Sequence, residues 1–124
     1  MIIDAYAWIE YFFGSEKGKK VKDAMDKNEC YTLESNLAEI YEWAKKNNED
    51  FSFLQKIIIV KSRILSINRK DWLRGVEIKL EKRKKQRDFG LIDGLMLAKQ
   101  EELKCSLITG DKHFKGIKNV VYLG

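Results

Sequence analysis

The chain has 124 residues, of which 44% are hydrophobic and 35% charged, enough for one domain with a real core under a heavily ionised surface. No apolar run approaches the ~18–20 residues that cross a bilayer, and Met1-Ile2-Ile3-Asp4 has no basic leader, so a membrane protein and an exported one are both disfavoured and a cytoplasmic protein is expected. The 24 basic residues against 19 acidic ones, a net charge of +5, favour an anionic partner.

In chain order, Met1 to Ile3 reads as a short strand ending at Asp4, and Ala5 to Phe13 as a helix broken by Gly14-Ser15. A second helix, Glu16 to Lys27, turns Val21, Ala24 and Met25 inward. Cys30 to Leu33 has strand propensity. Ser35 is placed to cap a helix from Asn36 to Lys46, with Leu37, Ile40, Tyr41 and Ala44 at helical spacing. Phe53, Leu54, Ile57 and Ile58 suggest another helix, and Ile64 to Ile67 a strand. Trp72, Leu73, Val76 and Leu80 mark a helix over Arg69 to Gln86, and Leu91 to Leu103 form the next. Ser106 to Thr109 and Val120 to Leu123 read as the last two strands.

Short apolar strands alternating with helices predict a single α/β domain over residues 1–124, a mostly parallel sheet of about five strands with helices on both faces. Such sheets bind ligands beyond the carboxyl ends of their strands. The sequence puts acids there. Asp4 ends the first strand, Asp111 lies just past the fourth, Glu39 sits one turn into the helix after the second, and Asp93 opens the helix Leu91 to Leu103 among apolar neighbours. Each acid taken singly has a local explanation as a cap, a turn residue or a solvated helix position. Together at one sheet edge they would repel one another, and a cation would relieve the repulsion. An all-oxygen donor set selects Mg²⁺ or Mn²⁺ over zinc or copper, and a carboxylate cage of that kind is suited to phosphoryl transfer.

The two cysteines, Cys30 and Cys105, read as reduced, buried thiols, since two such residues make no disulfide framework and neither has a CxxC neighbour. The single histidine, His113, excludes a His-rich zinc site and falls in a polar turn among lysines.

With these residues in place, the sequence resembles the PIN-domain family of metal-dependent ribonucleases, and within it the small VapC-type toxins of toxin–antitoxin pairs. The resemblance runs through Met1-Ile2-Ile3-Asp4, Thr32-Leu33-Glu34-Ser35-Asn36-Leu37-Ala38-Glu39, Asp93-Gly94-Leu95-Met96-Leu97-Ala98 and Leu107-Ile108-Thr109-Gly110-Asp111-Lys112-His113-Phe114. It implies that Asp4 and Asp93 are the principal metal ligands, that Glu39 and Asp111 position metal or water, and that Thr109 is a supporting hydroxyl. It further implies a Mg²⁺- or Mn²⁺-dependent endoribonuclease that leaves a 5′-phosphate and a 3′-hydroxyl, restrained by a small antitoxin. Ala5 departs from the family's usual Ser or Thr, and Gly94 after the third acid is also unusual.

Two further stretches bear on partners. Lys79, Lys82, Arg83, Lys84, Lys85 and Arg87 put six basic residues in nine, either a solvated helix terminus or a track leading RNA to an acidic pocket. The helix Ala5 to Phe13 is apolar nearly all round, and its Trp8, Tyr11 and Phe12 side is either buried or an exposed surface for an antitoxin or for the second subunit of a homodimer. Other readings stay open: a non-catalytic nucleic-acid-binding or regulatory module on the same fold, an RNA-maturation PIN nuclease, and a receiver-like domain. The last lacks the adjacent acid pair, because Ala5 follows Asp4.

Overall fold

A computed structural model describes residues 1–124. Its elements are β1 (Ile2–Ile3), α1 (Ala5–Phe13), α2 (Glu16–Asp26), β2 (Tyr31–Leu33), α3 (Glu34–Lys46), α4 (Phe51–Lys61), β3 (Arg63–Leu65), α5 (Arg69–Lys82), α6 (Leu91–Leu103), β4 (Leu107–Thr109) and β5 (Val120–Tyr122), with a 3₁₀ turn over Lys112–Phe114 before the last strand. The five strands form one fully parallel sheet in the order β3-β2-β1-β4-β5. From β1 the chain winds outward to β2 and β3, then returns to β4 on the other side of β1. The carboxyl ends of β1 and β4 therefore flank the topological switch point, where sheets of this kind open a crevice.

Strand alternation divides the core in two. Ile3 and Ile108 point to the face covered by α1 to α4, with Trp8, Val21, Met25, Ile40 and Ile58. Ile2 and Leu107 point to the opposite face, against Ile78, Phe89, Met96, Leu97 and Phe114. Caps set the helix starts. The Asp4 carboxylate accepts from Ala7 N–H at 2.8 Å, the Ser15 hydroxyl accepts from Gly18 N–H at 3.0 Å, and Asn68 and Asp71 form a reciprocal capping box. Gly14, at φ 66°, closes α1 in the left-handed conformation that glycine adopts at low cost.

Several sequence expectations need correcting. Helix α3 begins at Glu34, directly out of β2, so Ser35 lies inside the first turn instead of capping it. Strand β3 is Arg63–Leu65 because these residues pair in register with Tyr31–Leu33. Helix α5 stops at Lys82, where the chain turns back and Arg83 Nε donates to the Phe89 carbonyl at 2.7 Å. Trp8 is not an exposed partner surface. It is wholly buried and donates its indole N–H to the Thr32 hydroxyl at 3.0 Å, with Phe12 stacked on it and Tyr11 edge-on, both half-buried. The exposed aromatic of α1 is Phe13, which meets Trp43 of α3 edge-on at 5.6 Å. Cys30 is buried as expected, whereas Cys105 is only half-buried.

The stripe that marked α5 faces outward: Trp72, Leu73, Val76 and Leu80 are exposed, while Asp71, Gly75 and Ile78 are buried. The reason is a close crossing of helices. A Cβ added at Gly94 would lie 2.3 Å from the Gly75 carbonyl oxygen, so α5 and α6 touch backbone to backbone through their glycines. Beside that contact the buried Lys99 ammonium of α6 is paired with Asp71 of α5 at 2.9 Å and with Glu102 at 3.0 Å. No helix is long and apolar enough to cross a membrane.

Candidate metal centre

Asp4 follows β1 at once and its side chain is almost wholly buried. One carboxylate oxygen accepts from Ala7 N–H, and the other accepts the Thr109 hydroxyl in a short hydrogen bond. Thr109 ends β4, the strand paired with β1, and its Oγ1 also accepts from Asp111 N–H at 3.0 Å. That hydroxyl thus locks the first and last acids to one another. Asp111 in turn accepts His113 N–H at 2.9 Å and starts the 3₁₀ turn, which Phe114 anchors in the core.

The other two acids arrive on helices. Asp93, in the first turn of α6, accepts Gly90 N–H at 3.0 Å. Glu39 lies on α3, where the amide of buried Asn36 donates to its Oε1 at 3.1 Å and approaches Met96 of α6 at 3.4 Å. Glu39 is exposed, and its carboxyl feels the charges of Asp93 and Asp111. Beside it a cavity of about 480 Å³ is lined by Ser35, Glu42, Trp72 and Ile92. The largest groove lies elsewhere, over Asp71, Arg74, Glu101 and Glu102 on the outer side of α5 and α6.

The four acids share one electric field. Burial pushes the Asp4 carboxyl up to about 7 against the lowering effect of its two hydrogen bonds, with Glu39 and Asp111 adding to the rise. Burial also raises Asp93, with Asp111 contributing, and it raises Glu39, with Asp93 and Asp111 contributing. Among these acids stands an imidazole that the sequence reading left in a turn. The His113 ring places Nδ1 3.1 Å from Asp111 and 3.3 Å from Asp93, and Nε2 3.0 Å from Asp88. Burial alone would lower its pKa, but Asp88, Asp111 and Asp93 together raise it.

These residues fit a divalent ion. Donor atoms of Asp93, Asp111 and His113 all lie within 4.8 Å of one another. Both ring nitrogens of His113 are shielded from solvent, and neither has a well-aligned hydrogen-bond partner despite the nearby carboxylates. Asp4, which is buried, and Glu39, which is exposed, are not part of that tight group.

The PIN domain family model matches residues 1–120. The chain belongs to the PIN-domain family. Among solved structures the PIN fold here is similar to a toxin–antitoxin complex from Klebsiella pneumoniae, at TM-score 0.77 and 22% identity over 99% of this chain and 97% of that one. It is also similar to VapBC2 from Rickettsia felis bound to a DNA fragment from their promoter, at TM-score 0.73 and 17% identity over 98% of this chain and 95% of that one. No curated protein matches the sequence at a significant level.

The basic stretch of this PIN domain lies at the rim of the same crevice. Lys79 and Lys82 are half-buried at the end of α5, while Arg83, Lys84, Lys85 and Arg87 are exposed on the turn and loop that lead to α6. Gln86 of that loop donates to the His113 carbonyl at 3.2 Å, and Asp88 touches the His113 ring. Lys84 is paired with Glu81, whereas Lys85 and Arg87 have no ion-pair partner. Sequence reasoning missed Asn36, Asp88 and His113. The available signal was the spacing Asp111-Lys112-His113-Phe114, since a tight turn brings a residue two positions on back over the acid that starts it.

Proposed function

We propose that this PIN domain is a Mg²⁺- or Mn²⁺-dependent endoribonuclease and the toxin of a toxin–antitoxin pair. The supporting observation is the cluster of Asp93, Asp111 and His113 past β4, tied to buried Asp4 through the Thr109 hydroxyl, where burial and mutual repulsion raise Asp4, Glu39 and Asp93 and leave a demand for positive charge. A divalent ion, when bound, supplies positive charge against a scissile phosphate and acidifies water. Asp93 and Asp111, whose donor atoms lie close together, would hold that ion. Asp4, fixed by Ala7 N–H and Thr109, would add its negative charge beside them. Glu39, oriented by Asn36, faces the open side and takes a proton from the attacking water, whose in-line attack leaves a 5′-phosphate and a 3′-hydroxyl. Lys85 and Arg87, with Lys79, Lys82, Arg83 and Lys84 behind them, neutralise the RNA backbone so that it can approach an acidic crevice.

The two structural neighbours are a toxin–antitoxin complex and VapBC2, which supports an antitoxin partner for this chain. With Trp8 buried, Phe13 and Trp43, meeting between α1 and α3, are the aromatic surface left for that partner. The outward stripe of α5, Trp72, Leu73, Val76 and Leu80, is the surface for a homodimer. The test is cleavage of structured RNAs by the parent protein and by Asp93→Asn, with Mg²⁺, with Mn²⁺ and with chelator. Cleavage that needs the ion and is lost in the folded variant supports the nuclease. Equal cleavage by both proteins, or cleavage in chelator, refutes it.

A further inference from the structure

His113 is the one nitrogen donor among the acids, and its setting is built rather than incidental. Its backbone N–H is held by Asp111, its carbonyl by Gln86, and its ring stands against Phe89 at 5.9 Å. The next residue, Phe114, is wholly buried, so the turn cannot swing the ring into solvent without unpacking the core. Asp88 lies 3.0 Å from Nε2, on the side away from Asp93 and Asp111. A carboxylate beside one ring nitrogen favours the tautomer with its proton there. It thereby leaves the lone pair on the other nitrogen, an arrangement that commonly orients histidines toward metals. Here that other nitrogen, Nδ1, is buried and lies 3.1 Å from Asp111 and 3.3 Å from Asp93, with no well-aligned hydrogen bond to either.

We propose that His113 Nδ1 is a ligand to the divalent ion, that Asp88 is its positioning residue, and that this nitrogen makes the centre prefer Mn²⁺ to Mg²⁺. The inference rests on the reading of this crevice as a metal site and adds to it a donor and a selectivity. Mg²⁺ takes oxygen donors in strict octahedral geometry and gives up water reluctantly. Imidazole suits first-row transition ions, and in a given nitrogen–oxygen site Mn²⁺ is the weakest bound of these, so its gain from one nitrogen is modest but measurable.

The test exploits a feature of the sequence: the chain has one histidine. Any histidine nitrogen coupled to a bound ion in untagged protein is therefore His113. Mn²⁺ and Mg²⁺ affinities are measured by calorimetry on the full chain, and bound Mn²⁺ is examined by pulsed electron paramagnetic resonance. The parent protein is expected to bind Mn²⁺ at least tenfold more tightly than Mg²⁺ and to show a nitrogen coupling that changes when histidine is labelled with ¹⁵N. His113→Ala is expected to lose that coupling and about tenfold or more in Mn²⁺ affinity while keeping most of its Mg²⁺ affinity. Asp88→Asn, which leaves the ring in place, is expected to lose about tenfold in Mn²⁺ affinity. The labelled parent protein answers the ligation question even if His113→Ala does not fold. Bound Mn²⁺ without a histidine coupling, or a folded His113→Ala variant that keeps the parent's Mn²⁺ affinity, would overturn the proposal and leave the acidic metal site standing. A parent protein that binds neither ion refutes the metal-centre reading itself, and this inference with it.

Discussion

Asp4→Asn should make the metal-free protein more stable at neutral pH while removing its nuclease activity. The folded-state pKa of Asp4 is raised from 3.8 to about 7. Below pH 3.8 both folded and unfolded chains hold the proton. Between there and about 7 only the folded chain holds it, so stability falls as pH rises, and above about 7 the penalty is complete. At about 1.4 kcal/mol per pKa unit the whole shift is worth about 4 kcal/mol, of which about 2.5 kcal/mol falls between pH 5 and pH 7.5. That is a large share of a stability of ~5–15 kcal/mol. The amide is uncharged and keeps an oxygen for Ala7 N–H, but the Thr109 hydroxyl loses its acceptor, which costs about 1 kcal/mol. Urea unfolding in chelator, followed by the fluorescence of buried Trp8 and its companions, measures the difference. Asp4 should account for about 2.5 kcal/mol of the stability that the parent protein loses between pH 5 and pH 7.5. The variant should lose distinctly less, retaining only the slope from Glu39, Asp93 and His113, whose raised pKa values act in the same direction. Saturating Mn²⁺ should recover stability in the parent protein at pH 7.5 more than in the variant. Identical pH slopes in the two proteins would refute the argument that Asp4 is held in the fold against its own charge.

Thr109→Val removes the buried hydroxyl that bridges Asp4 and Asp111 N–H, so it should cost about 1–3 kcal/mol in unfolding free energy and slow RNA cleavage; a variant with the parent's melting temperature and rate would dismiss the bridge. Gly94→Ala improves helix propensity yet should destabilise by about 1–3 kcal/mol, because its Cβ would meet the Gly75 carbonyl oxygen at 2.3 Å. A higher unfolding midpoint would show that α5 and α6 do not cross at these glycines. Replacing Lys85 and Arg87 together by Ala should weaken RNA binding across sequences, and should flatten the log–log salt dependence by about 1.4, as expected for two lost phosphate contacts on a single strand. Fluorescence anisotropy with folded Asp93→Asn protein as the background reads this without cleavage, and an unchanged slope would remove the loop from the RNA path.

The alternation of strands and helices, and the acids at the strand ends, were legible without coordinates because they are local facts. Asp4 both terminates β1 and caps α1, so its place follows from the few residues around it. Helix periodicity likewise identified α5 from Trp72, Leu73, Val76 and Leu80. A period says nothing about what lies opposite, and tertiary packing buried the glycine face of α5 because two backbones in contact at Gly75 and Gly94 exclude larger side chains. The same limit hid the fate of Trp8, whose indole finds Thr32 on a strand 24 positions away.

The chain order alone therefore determined the alternation of strands and helices, that Asp4 closes the first strand, and that carboxylates were available just past the strand ends. Only the folded chain decided that Asp88, from the loop after α5, and His113, from the turn after β4, close on the same point. That meeting depends on where α5 stops and on the anchoring of Phe114 in the core. Neither can be read from spacing, because both are set by contacts between segments distant in sequence.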